Sequence, residues 1–166
     1  MTLRRHTLLC LCLTLLGTAP AHTQTPPAVP ATVCDASGDI APAQLYGLWQ
    51  LALWPQDGSG NEATPASTGA LLFERHPEYP GSVRGSLKRS TQGNDRQALV
   101  SGDVTQGEFN LDESADGVNM DAVWEGNVVP GGCGQELRGV RRSAEGRAAP
   151  ADPPMNFVLK KVPGWR

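Results

Sequence analysis

Between residues 46 and 162 the chain repeatedly switches between short runs of alternating apolar and polar residues and clusters of Gly, Pro, Asn, Asp and Ser. No apolar stripe with a helical period interrupts this pattern. Eight such runs occur, at 46–54, 69–76, 82–89, 97–104, 107–111, 118–127, 133–142 and 156–162. Alternation is clearest where Val83 and Leu87 oppose Arg84 and Lys88, where Phe109 and Leu111 oppose Glu108 and Asn110, and where Val118, Met120, Ala122 and Trp124 oppose Asn119, Asp121 and Glu125. One dry and one wet face is the antiparallel pattern. Eight consecutive short strands predict an all-β, antiparallel, eight-stranded up-and-down barrel, because closure removes exposed edges. A β-sandwich is the alternative. Candidate interior residues are Leu71, Phe73, Val83, Leu87, Val100, Phe109, Leu111, Met120 and Trp124. The small inward residues Gly85, Ala98, Gly102 and Ala122 suggest free volume among them.

Residues 1–21 have a different character. Arg4 and Arg5 precede an apolar run of about ten residues, and Ala19-Pro20-Ala21 supplies the small residues of a signal-peptidase site. That run is short of the roughly 20 residues that span a bilayer. The chain is therefore read as a signal peptide at 1–21, a Pro-rich flexible arm at 22–33, and a single β-barrel domain at 34–166. The arm is either a spacer or a docking segment. The protein is expected to be exported, to the periplasm or beyond, with no transmembrane anchor.

Export fixes the cysteine chemistry. Cys10 and Cys12 leave with the signal, so Cys34 and Cys133 are the pair expected to form one disulfide in an oxidising compartment. Loss of Arg4 and Arg5 also makes the mature chain more acidic, with a net charge of about −5. That balance argues against nucleic acid as a partner.

In an up-and-down order, the connections at 55–68, 90–96, 112–117 and 143–155 share one end, and the shorter ones at 77–81, 105–106 and 128–132 share the other. The longer loops either carry a binding site or are tolerated insertions.

Gly47-Leu48-Trp49, at the start of the first strand, resembles the G-x-W signature of the calycins, which include lipocalins, avidins and small bacterial metalloprotease inhibitors. The resemblance implies that Trp49 closes one barrel end and that a basic residue of the last strand, Lys160, Lys161 or Arg166, stacks over it.

Other motifs are weaker. Asp112-Glu113-Ser114-Ala115-Asp116-Gly117 matches the opening of a calcium loop, but position twelve is Val123, and Asp116-Gly117 is also a hairpin turn signal. Glu74, His76 and Glu78 share a parity suited to a metal, yet Pro77 interrupts them. The seven acids from Asp103 to Glu125 read as an outward face pairing with Arg138 or Arg142. No nucleophile and base match, so no catalytic, cofactor or metal residue is assigned. Two functions remain: a non-enzymatic carrier of a small apolar ligand in the barrel, or a module binding a protein partner, such as a secreted inhibitor or envelope accessory protein.

Overall fold

A computed structural model describes residues 40–91, 94–146 and 152–165. After a short 3-10 turn at Pro42–Gln44 come eight strands: β1 (Gly47–Pro55), β2 (Ser67–Arg75), β3 (Ser82–Thr91), β4 (Asn94–Thr105), β5 (Glu108–Ser114), β6 (Ala122–Val128), β7 (Glu136–Ser143) and β8 (Met155–Lys161). Each pairs antiparallel with its successor, and β8 pairs with β1, so the sheet closes. The barrel expected from the alternation forms, and the sandwich does not. The signal peptide, the arm, Cys34 and Arg166 lie outside the described residues.

Register follows parity. Trp49, Leu51 and Leu53 point inward from β1, Leu71 and Phe73 from β2, Val83 and Leu87 from β3, and Phe109 and Leu111 from β5, all buried. Outward positions carry charges such as Glu74, Arg84, Glu125 and Arg142, which form ion pairs across the wall. The dry face is therefore the inner one.

The interior is filled by a chain of rings. Trp49 meets Phe73 edge-on at 6.2 Å, Phe73 meets Phe109 at 6.1 Å, Phe109 meets Phe157 at 6.2 Å, and Phe157 meets Trp124 at 5.2 Å. Edge-to-face contacts at such separations add to the burial of these large rings.

Two expectations about the interior are corrected. Met120 is 48% exposed. It precedes β6, in a loop held by Asp116, whose Oδ1 accepts hydrogen bonds from the backbone N–H of Val118 and Asn119, both at 2.8 Å. The expected strand start at 118 falls in that loop. Nor do Gly85 and Gly102 create free volume. A Cβ at Gly85 would collide with the Leu72 carbonyl oxygen, and one at Gly102 would meet Leu111 Cα at 2.8 Å. The neighbouring backbone occupies the space, and these glycines let the sheet bend tightly enough to close.

Gly139 makes the same case testable. A Cβ there would meet Gly126 Cα at 2.5 Å, where β6 and β7 approach. Gly139→Ala is expected to lower stability by about 1–3 kcal/mol through overpacking. A urea midpoint shifted downward at constant slope would show it.

Candidate functional site

The two barrel ends differ chemically. At one end, the connections are 76–81, 106–107 and 129–135, and the turn at Pro42–Gln44 lies against the start of β1. Leu45 is fully buried there, and its carbonyl accepts the Trp49 indole N–H at 2.7 Å. Lys161 Nζ sits 5.6 Å from the Trp49 ring centroid and donates to the Gln44 carbonyl. Burial lowers the Lys161 pKa. Of the two lysines of the last strand, Lys161 lies over Trp49, while Lys160 turns outward to Glu62. Gly47 is required by the backbone: its φ is +117°, and a Cβ would lie 2.9 Å from the Trp165 carbonyl oxygen.

At the opposite end, the mouth, the inward positions become polar. Ser67, Arg89, Glu113 and Arg141 continue the inward parities of β2, β3, β5 and β7, and all are buried. Arg141 Nε and Nη2 donate to Glu113 Oε2 and Oε1 at 2.7 and 3.1 Å, a two-point pair. The Trp124 indole N–H donates to the same carboxylate at 2.9 Å, and the Arg141 guanidinium lies 5.9 Å from the Trp124 ring centroid. Asp152, before β8, accepts from Arg141 Nη1 at 3.2 Å. Burial opposes the charge on Arg141, but Glu113 and Asp152 more than offset it, and its pKa is raised.

Arg89 is treated differently. It is only 7% exposed, yet its Nε and Nη2 are buried without a hydrogen-bond partner among the described residues. Nη2 lies 3.7 Å from Asp152 Oδ2 and 4.0 Å from Glu113 Oε1, close enough for attraction but not for a hydrogen bond. Burial, then the neighbouring charge of Arg141, lowers its pKa.

Sequence reasoning missed this cluster, although parity marks it. Arg89 follows Val83 and Leu87 at even spacing, Glu113 follows Phe109 and Leu111, and Arg141 follows Leu137. Ending the fifth run at residue 111 hid Glu113. β5 instead runs to Ser114, so Glu113 belongs to the inner wall and not to the outward acidic face. On the outer face, Glu125 pairs with Arg142 at 2.5 Å.

The two metal readings meet other partners. Asp116 accepts from Ser114, Val118 and Asn119, and these hydrogen bonds, led by that from the Asn119 backbone, hold its carboxyl well below the usual range. His76 Nδ1 accepts from the backbone N–H of Glu78 and Tyr79, and Glu74 pairs with Arg84. Among the described residues, no cluster of three or more His, Cys, Asp or Glu is placed to hold a metal.

Two further features lie on the outer wall. A cleft of about 360 Å³ is bordered by Glu74, Arg84, Ser86, Leu99 and Asp112. Elsewhere the β1–β2 loop is fastened down by Glu62, which accepts from Lys160 at 2.6 Å and Arg138 at 2.7 Å. These hydrogen bonds, that from Lys160 first, lower the Glu62 pKa. The stabilisation is present above the ordinary carboxylate pKa and is lost as pH falls through the depressed folded value. The Glu62 side-chain carboxyl carbon resonance is expected to titrate below the usual range, and Lys160→Ala to bring it back toward that range.

Neither a family model nor a curated protein matches the sequence. Among solved structures, that of EF1p2_mFAP2b bound to DFHBI is similar at 14% identity, covering 74% of this chain and 97% of that chain, with a TM-score of 0.45. The architecture described above is a closed, eight-stranded, antiparallel up-and-down barrel. No helix among the described residues is long and apolar enough to cross a membrane.

Proposed function

We propose that this chain is an exported, non-enzymatic binding domain that takes a small ligand at the mouth of its barrel. The observation that carries the reading is the switch in inner-wall chemistry. Below the mouth, rings and aliphatic side chains fill the interior, from Trp49 to Trp124. At the mouth, inward Arg89, Glu113 and Arg141 replace them. An apolar ligand within the barrel would have to displace the aromatic chain. A polar or charged ligand at the mouth would meet buried donors instead. The Glu113 carboxylate is taken up by Arg141 and Trp124, which supports binding over proton transfer.

Export and oxidation belong to the same reading. The disulfide-bonded state of Cys133 supports pairing with Cys34. So does the approach of Ile40 to the Cys133 turn: Ile40 Cγ2 lies 3.0 Å from where a Gly134 Cβ would stand. The exported protein is expected to begin at His22, as N-terminal sequencing would show.

A second reading has its own support. Leu99 (56% exposed), Val118 and Met120 present apolar surface near the outer-wall cleft, which suits a protein partner. A thermal-shift panel of apolar, neutral polar and charged small molecules separates the two. A ligand at about 100 times its Kd adds about 2.7 kcal/mol. The mouth reading expects a polar or charged compound to stabilise the native chain but not a folded Glu113→Leu/Arg141→Met variant. Stabilisation that survives in that variant and is lost in Leu99→Ser would favour the outer wall and contradict the mouth reading.

A further inference from the structure

We propose that Arg89 is the anion-recognition residue of the mouth, its Nε–H and Nη2–H forming a fork for one oxyanion of the carboxylate type. The inference rests on the reading of the mouth as the binding site and deepens it to a ligand class.

A guanidinium presents Nε–H and one Nη–H side by side, in the geometry that meets two oxygens of a carboxylate. Arg141 uses that edge, Nε and Nη2, to hold Glu113. On Arg89 the same two nitrogens are buried and have no hydrogen-bond partner among the described residues. The carboxylate oxygens nearest to Arg89 already accept from other groups. Glu113 Oε2 receives Arg141 Nε and the Trp124 indole, Glu113 Oε1 receives Arg141 Nη2, and Asp152 Oδ2 receives Arg141 Nη1. Leu87, two residues earlier on the same face, shows that an aliphatic side chain fits the inner wall of β3. A cation with an unused fork is costly there unless an anion meets it. Burial and the charge of Arg141 disfavour the Arg89 cation more than Glu113 and Asp152 favour it, and an arriving negative charge would offset that balance. The Asp152 side chain, 32% exposed, joins the cluster to solvent and marks the side of entry.

The shared chemistry is an oxyanion, either free or as the head of a larger amphiphile. The test follows the arginine Nε–Hε cross-peaks of the full exported chain by ¹⁵N NMR. Sodium acetate and sodium octanoate are the probes, with sodium chloride at matched ionic strength as the control. The Arg89 cross-peak is expected to move saturably with a carboxylate and not with chloride. Arg89→Lys, which keeps the charge but loses the fork, is expected to weaken binding about ten- to a hundredfold. Arg89→Met is expected to abolish it while leaving the chain folded. Tighter binding of octanoate than acetate assigns the anion to an amphiphile, and equal binding assigns it to a free anion. An Arg89 cross-peak unmoved by either carboxylate, moved equally by chloride, or unchanged affinity in Arg89→Met would overturn the proposal. If a probe moves the Trp124 indole resonance but not Arg89, only the Arg89 assignment falls. If no probe moves any mouth resonance, the carboxylate class falls, and the thermal-shift panel decides the broader reading.

Discussion

Replacing Glu113 with alanine is expected to destabilise the barrel by about 3–5 kcal/mol, the usual result of removing one partner from a buried ion pair. The loss is larger than a single contact because Glu113 serves three groups. Arg141 loses its two-point acceptor, the Trp124 indole loses its acceptor, and Arg89 loses a nearby negative charge. Two buried guanidiniums would then face each other with Asp152 as their remaining carboxylate among the described residues. The paired change Glu113→Leu/Arg141→Met should cost far less, because it removes both charges and leaves apolar side chains of similar length. Urea unfolding of the two variants separates these terms. If Glu113→Ala and the paired change prove equally destabilising, the cluster is held by packing and not by charge. Such a result would remove the electrostatic account of the mouth.

Trp49→Ala is expected to cost a similar amount, about 3–5 kcal/mol, for a different reason. Trp49 is fully buried, starts the aromatic chain through Phe73, donates to the Leu45 carbonyl and lies beneath Lys161. Its removal leaves a cavity at the end where the 3-10 turn meets the barrel. Trp49→Phe should cost less, because a ring still meets Phe73 while the indole hydrogen bond is lost. Lys161 gives an independent readout. Burial lowers its pKa, so hydration of the cavity in Trp49→Ala should return that pKa toward the usual lysine range, as NMR titration of its side chain would show. A Lys161 pKa unchanged by Trp49→Ala would mean that the end closes by another route.

The strands were legible because period-two alternation and Gly or Pro punctuation agree along most of the chain. Both the number of strands and the hairpin order followed from that agreement. The mouth was less legible because its residues obey the alternation while breaking its polarity rule. A charged residue at an inward position looks like the end of a strand. Arg89 was read as such an end, and Glu113 as part of a turn. Parity carried one or two residues further would have placed both inside. Asp116 shows the opposite failure. Its side chain organises a loop through Val118 and Asn119, yet the apolar spacing of Val118 and Met120 imitates a strand. The glycines misled for a geometric reason. A small inward residue signals either space or a close backbone, and only the closed sheet shows that Gly85 and Gly102 meet backbone.

Binding is proposed at the mouth, above a filled interior. Amide and methyl chemical-shift mapping of the chain from His22 onward, against a compound found in the thermal-shift panel, tests this most directly. Perturbations are expected to centre on Ser67, Arg89, Glu113, Trp124 and Arg141, with Leu51, Phe73 and Phe109 unmoved. Perturbations centred on Leu51, Phe73 and Phe109 would show a ligand within the barrel and would contradict binding at the mouth.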